Sequence, residues 1–297
     1  MAPSVLVIGA GGAFGRPLIE EFINQKSLFS KIGVLSDPAK VSKFSDFAAQ
    51  GIEIVSGSFL DPKSYDGFEV VVSVVGNSIM RLQPAMVEAA ITGGVRHFYP
   101  SEFGSDVGQE SLRTFRYFRD KRVTRDHLAA KAKEYPDFYY SLMLTGIFTE
   151  WTADPFYNVD VVAHTATPYG YPDKPVHVTS IPDIARYTVE SILLPLTPGV
   201  QKREIRVVGE KTTFQKFIDD LGEAQGVKYK LTYLDPEEAA ANQREAWARG
   251  DETAELMWSV KPIAASGVAL VPGQLDNDKF SFRPESVKET MKRVYGQ

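Results

Sequence analysis

The tightest constraint on this chain lies at its start, where the apolar run Val5-Leu6-Val7-Ile8 passes directly into Gly9-Ala10-Gly11-Gly12-Ala13-Phe14-Gly15. An apolar run this short, closed by glycines, is too brief for a helix and fits a buried parallel strand. Arg16 to Gln25 follows with helical spacing through Leu18, Ile19, Phe22 and Ile23. Strand, glycine turn and helix together form an anion cradle. Gly9 permits the tight turn, Gly12 lets the backbone approach a pyrophosphate, and Gly15 lets the helix pack on the sheet. The helix start adds unpaired N–H groups and a partial positive charge. The loop of Gly9, Gly11, Gly12, Ala13, Phe14 and Gly15 is therefore expected to hold a dinucleotide, NAD or NADP.

The pattern continues beyond the loop. Short apolar runs at 32–35, 52–55, 70–75, 95–99 and 139–144 alternate with helical segments at 84–92 and 119–133. This rhythm predicts βαβ units and a parallel sheet. The expected fold is α/β, a Rossmann-type doubly wound parallel sheet over residues 1–150. A smaller C-terminal substrate-binding region over 151–297 is expected to interleave with it. That region reads as helices at 184–194 and 213–224, a strand at 204–208, a largely helical, charged stretch at 236–256 and an amphipathic helix at 284–295.

The second strand ends in Ser36-Asp37-Pro38-Ala39-Lys40. Asp37 lies about 20 residues past the loop, where an acid binds the adenosine ribose of NAD and repels the 2′-phosphate of NADP. Asp37 therefore points to NAD; the alternative makes it a turn residue before Pro38, leaving Ser36, Lys40 and Lys43 to meet a phosphate. Gly76 and Asn77, with Ser78, follow the fourth strand, at the sheet edge where ligands of such folds sit.

Composition narrows the chemistry. There is no cysteine, so disulfides, thiolate metal sites and cysteine nucleophiles are excluded. The net charge of −5 argues against non-specific nucleic-acid binding. His97, His127, His164 and His177 lack metal-ligand spacing, so no metal is expected. No apolar run approaches a membrane span, and Met-Ala-Pro-Ser carries no leader pattern, which gives the expectation of a cytoplasmic protein with a small-molecule partner.

Tyr117 and Lys121 form Tyr-x-x-x-Lys, a spacing that shares one face of a helix. Such a pair can deliver a proton to a carbonyl oxygen, with the lysine lowering the tyrosine pKa. The plainer reading makes Tyr117 a packed aromatic beside Phe115 and Phe118, and Lys121 a solvated charge in a basic run. Likewise Phe148, Trp151, Phe156 and Tyr157 are either an aromatic substrate wall or core. Glu102 is either an acid or a local hydrogen-bonding residue.

Phe98-Tyr99-Pro100-Ser101-Glu102-Phe103-Gly104 resembles the Pro-Ser-Glu-Phe-Gly signature of the isoflavone reductase-like proteins, atypical short-chain dehydrogenases of the NmrA-like superfamily. Gln83, Ala89-Ala90 and Gly94-Val95 match the lead-in to that signature. Thr145-Gly146-Ile147-Phe148 and Thr179 to Ala185 match later segments. The resemblance covers most of the chain and is densest from 5 to 150. It implies NADPH and one essential lysine on the helix after the signature, a position that Lys121 fills. Gly146 and Phe148 would then line the cofactor, and Glu102, Phe103, Phe148 and Trp151 the substrate. Two departures stand out. Asp37 replaces the arginine usual in the plant enzymes, and 105–119 has no close match. The expected function is NAD(P)H-dependent reduction of a small aromatic or polyketide-like secondary metabolite. Alternatives are a non-catalytic dinucleotide sensor with a protein partner, and a non-redox isomerase or dehydratase. Sensors of this kind commonly lack the lysine.

Overall fold

The computed structural model describes residues 2–296. In chain order it opens with strand β1 (Ser4–Ile8) and helix α1 (Gly15–Asn24), which buries Leu18, Ile19 and Phe22. Next come β2 (Lys31–Ser36), the short α2 (Ser45–Ala48), β3 (Glu53–Ser56) and β4 (Val70–Ser73). Then follow α3 (Gln83–Thr92), β5 (His97–Tyr99), α4 (Arg119–Glu134) and β6 (Tyr139–Leu144). Three two-residue strands, β7 (Ile147–Phe148), β8 (Val159–Asp160) and β9 (Thr165–Ala166), precede β10 (Pro175–Thr179), α5 (Ile181–Leu193) and β11 (Lys202–Arg206). The chain ends with β12 (Glu210–Thr213), α6 (Phe214–Gln225), β13 (Lys230–Leu231), α7 (Pro236–Ala248), α8 (Glu252–Val260) and α9 (Val287–Tyr295).

These elements form two compact units. One holds the chain up to Glu102 with Asp120–Met143 and Ala185–Ile205; the other holds Phe103–Arg119, Leu144–Ile184 and the chain from Arg206 onward. The first unit is built on a seven-stranded sheet of order β11-β6-β5-β4-β1-β2-β3. β1 pairs in parallel with β2 and β4, so that Val7 lies opposite both Val34 and Val72. The winding runs outward from β1 to β3, then reverses from β4 to β6. The carboxyl ends of β1 and β4 flank this switch point, the place where such sheets bind ligands. The Rossmann-type doubly wound sheet expected from the sequence is the fold observed.

The second unit contains two three-stranded sheets, β12-β10-β7 and β13-β9-β8. Its core gathers Val176 and Val178 of β10 with Phe214, Phe217, Ile218 and Leu221 of α6. The largely helical stretch over 236–256 holds two helices, α7 and α8. Gly250 takes a φ of +71°, and the Asp251 carboxylate caps α8 by accepting from the Ala254 N–H at 3.0 Å. A left-handed glycine followed by a capping aspartate ends one helix and starts the next. Among the described residues no helix is long and apolar enough to cross a membrane, and no cluster of acids and histidines could hold a metal.

The first unit buries a polar network between β5, β6, α5 and β11. Arg203 donates from Nε to Ser141 Oγ (2.9 Å), and from Nη2 to the Ser191 carbonyl (2.9 Å) and the Tyr99 hydroxyl. His97 Nε2 lies 2.8 Å from Ser141 Oγ. Burial, reinforced by the Arg203 charge, pushes the His97 pKa down to about 3. The unfolded chain, with an ordinary histidine near 6.5, therefore binds a proton that the folded chain refuses between these values. Acid in that window favours unfolding. His97→Gln keeps a polar partner for Ser141 and should flatten the loss of stability between pH 6.5 and 3 by up to ~1.4 kcal/mol per pH unit. Urea titrations across pH measure this, and identical slopes in both proteins would exclude the neutral histidine.

Candidate active site

The glycine loop takes the shape its sequence requires. Gly9 has a φ of +94°, and a Cβ there would stand 2.7 Å from the Val74 carbonyl oxygen. The Gly12 N–H donates to the Gly9 carbonyl at 3.0 Å and closes the turn. A Cβ on Gly15 would lie 2.3 Å from the Gly9 oxygen and 2.7 Å from the Ala10 backbone. Gly12 is different: its Cβ would meet only the Gly9 oxygen, at 3.4 Å. Gly11, Gly12 and Ala13 are exposed, while Phe14 and Gly15 are buried. No side chain caps the start of α1. Across the switch point Gly76 is exposed, and a Cβ there would meet nothing within 4 Å; Asn77 beside it is half-buried. Open backbone on both sides, with an uncapped helix start between, fits the phosphates of a dinucleotide.

At the end of β2 the Asp37 carboxylate accepts from the Ala39 N–H at 2.8 Å, and the Lys40 N–H donates to the Asp37 carbonyl at 2.8 Å. Asp37 thus caps a 3-10 stretch, Pro38–Phe44. The Ser36 hydroxyl donates to the Asp37 carbonyl at 3.0 Å. Asp37, Lys40 and Lys43 are all exposed.

A short series of contacts leads from the glycine loop to Lys121. Gly9 packs on the Val74 carbonyl. Next along, the Val75 carbonyl accepts from the Ser101 hydroxyl at 2.9 Å. The Ser101 N–H donates to Gln83 Oε1 of α3 at 2.8 Å. Glu102 follows, and its carbonyl accepts from Lys121 Nζ. Its carboxylate, buried, takes Arg125 Nε at 2.8 Å and Nη2 at 2.9 Å. Lys121 itself is only 5% exposed, so it is no solvated surface charge. Burial pushes its pKa down to about 8; the Glu102 charge opposes that shift and Arg125 adds to it. Sequence reasoning singled out Lys121 and Glu102 but missed Arg125. The available signal was its position four residues after Lys121 on a helix.

Tyr117 is placed otherwise. The helix bearing Lys121 begins at Arg119, and Tyr117 lies before it in the 3-10 turn Arg116–Phe118. Its N–H donates to Ser259 Oγ at 3.0 Å and its ring meets Phe118 edge-on at 5.2 Å. Buried Phe118 anchors this turn in the core of the second unit, so Tyr117 and Lys121 do not lie on one helix as their spacing suggests. In the same unit Phe148 is buried and Trp151 is 41% exposed, with ring centroids 4.3 Å apart. Phe103 is buried with a φ of +35°, a costly conformation outside glycine. Gly146 has a φ of +69°, and a Cβ would lie 2.2 Å from the His177 carbonyl oxygen, which gives that glycine a packing role.

With this geometry in place, comparison is informative. Residues 1–246 match the model of the NmrA-like family. The chain belongs to that family. The oxidoreductase aprR of Aspergillus flavus is 23% identical over 241 residues, covering 80% of this chain and 79% of that protein. The isoflavone reductase homolog IRL of Zea mays is 31% identical over 116 residues, 36% of this chain and 38% of the relative. The matched segment thus spans little more than a third of this plant relative. Among solved structures, an isoflavone reductase superposes with a TM-score of 0.78 at 16% identity, over 99% of both chains. A leucoanthocyanidin reductase with NADPH, from Vitis vinifera, gives 0.74 at 18% over 98% of both. A Citrobacter triphenylmethane reductase complexed with NADP(H) gives 0.75 at 17%, over 98% of this chain and 100% of that one. At these identities the likeness is one of fold, and this NmrA-like chain shares it from end to end.

The contrast between the glycines is testable. Gly15→Ala forces a methyl into backbone that cannot yield and should cost ~1–3 kcal/mol. Gly12→Ala meets a single ordinary contact and should leave the melting temperature nearly unchanged. Equal melting temperatures for the two variants would mean that the helix start is not seated as described.

Proposed function

We propose that this chain is an NADP(H)-dependent reductase of a small aromatic or polyketide-like secondary metabolite, with Lys121 carrying the proton. The observation that supports it most is the lysine: buried, held by a peptide carbonyl, and with a pKa pushed down to about 8. A structural lysine gains nothing from such a site, because burial of the charge is costly. A proton carrier gains a pKa near working pH. The NADP(H) named with the Vitis and Citrobacter reductases supports the choice of cofactor. When bound, the dinucleotide supplies hydride chemistry.

This chain's own residues do the rest. The exposed backbone of Gly11, Gly12 and Ala13, with the start of α1, would hold the pyrophosphate, while Gly76 and Asn77 line the opposite side. Lys121 holds a proton on Nζ and, through Glu102, has a fixed position from which to deliver it. Phe103, Phe148 and Trp151 are the candidate apolar contacts for an aromatic substrate. Tyr117, outside the helix that bears Lys121 and with its ring against Phe118, is given no step here. For the 2′-phosphate the choice turns on Asp37. Read by sequence position alone, this acid favours NAD. Its carboxylate instead caps the Ala39 N–H, and Lys40 and Lys43 stand exposed on the same turn. That arrangement supports NADP(H), with the lysines rather than the aspartate meeting the phosphate.

Four outcomes are expected. Gly12→Val should weaken dinucleotide binding at least tenfold, about 1.4 kcal/mol, in a folded protein by calorimetry. The wild type should bind NADPH more tightly than NADH at one ionic strength, and Lys40→Ala should narrow the gap. Tighter NADH binding would return Asp37 to the ribose. Lys121→Met should lower kcat by roughly 10²-fold at nearly constant melting temperature, followed by oxidation of NADPH with a panel of aromatic ketones, enones and benzylic ethers. Because the protonated amine is the active form, kcat/KM should fall as pH rises through about 8. Wild-type rates in the Met variant would exclude the lysine. A wild type that binds NADPH yet reduces none of the panel would favour the sensor reading.

A further inference from the structure

Lys121 and Arg125 stand one turn apart on α4, so both side chains leave one face of the helix. Both reach Glu102, through different atoms of it. Arg125 takes both oxygens, at 2.8 and 2.9 Å, and Lys121 donates to the peptide carbonyl. A compact ammonium beside a buried carboxylate gains more from the charged oxygen than from a carbonyl dipole. The guanidinium prevails because its planar fork fits two oxygens at once. The backbone here is tied independently. Ser101 is held by Gln83 and by the Val75 carbonyl, and the Glu102 N–H donates to the Pro100 carbonyl at 2.7 Å. With its carboxylate forked and its backbone tied, Glu102 can present its carbonyl in one orientation only.

We propose that Arg125 is a positioning residue for Lys121: by occupying both oxygens of Glu102 it keeps the carboxylate off the amine, which meets a neutral oxygen instead. This deepens the reading of Lys121 as the proton carrier and rests on it. Two charges act on Lys121: Glu102, from the loop after β5, opposes the effect of burial, and Arg125, from its own helix, adds to it. Burial lowers the amine's pKa, Glu102 raises it, and Arg125 lowers it. Turning the carboxylate onto the amine would strengthen the one influence that favours the charged form. The amine would then stay protonated through the neutral range and lose its value as a donor.

The test uses the full chain without dinucleotide or substrate. Acetylation of Lys121 by acetic anhydride, read by peptide mass spectrometry across pH, gives the titration midpoint of the amine. The wild type should titrate near 8. Arg125→Lys preserves the charge count and loses only the fork. The freed oxygen should then turn to Lys121, and the midpoint should rise by about one unit. Adding Glu102→Gln removes the carboxylate and should return the midpoint to the wild-type value or below. An unchanged midpoint in folded Arg125→Lys overturns the proposal, as does a rise that persists in the double variant. Should Arg125→Lys fail to fold, Glu102→Gln with Arg125→Met removes the carboxylate and the guanidinium together. Its midpoint should lie at or below wild type, and a higher one overturns the proposal. Labelling needs no turnover, so the two readings fail separately. Full activity in Lys121→Met removes the catalytic role and leaves the midpoint shift standing.

Discussion

The first unit is organised around a strand with no exposed residue. All five residues of β1 are buried, and parallel strands flank it on both edges. A chain leaving such a strand must turn at once, in the little space left by its neighbour. Gly9 does this against the Val74 carbonyl, in a conformation that side chains resist. Gly15 then brings α1 down until its first residue touches the turn it came from. The position of the helix start, and with it the exposed backbone of Gly11 and Gly12, follows from packing the core. An anion cradle at the switch point is therefore a consequence of how β1 is buried.

The same packing extends towards the charged cluster. The carbonyls of Val74 and Val75 serve neighbouring loops: one bounds Gly9, and the other accepts from Ser101. One residue on, Glu102 joins two cations of α4. Charges removed from water must be paired and hydrogen-bonded, or they destabilise the fold. Here one anion is divided by chemistry: the carboxylate goes to the guanidinium and the carbonyl to the amine. Through this one residue the loop after β5 is tied to two positions one turn apart at the start of α4.

Much of this was legible in the sequence because each signal was local. Apolar runs marked β1, β2 and β6 to within a residue, and the spacing of Leu18, Ile19 and Phe22 marked the buried face of α1. What escaped depended on long-range packing. The sequence marked a strand at 204–208 without a role for Arg203, yet Arg203 anchors a polar network spanning three strands and a helix. The two-residue strands of the second unit are too short to carry a period. Tyr117 misled because its spacing to Lys121 has meaning only within one helix, and the helix start is set by the burial of Phe118 in the second unit. Asp37 was ambiguous by nature. Ribose binding and turn capping demand the same residue at the same place, and only the backbone shows the carboxylate on the Ala39 N–H.

His97 and Lys121 show how one physical influence gives two outcomes. Both bases are buried, and in each case burial and a guanidinium push the pKa down. His97 has no carboxylate acting on it, its nitrogen is matched by Ser141, and it falls to about 3, where it is neutral at any ordinary pH. Lys121 starts from a far higher value and has the Glu102 charge working against burial, so it stops near 8. The difference lies in the counter-charge. A base given none becomes a fixed part of the core, while a base given one, held at a distance by a competing guanidinium, is left able to exchange its proton near neutrality.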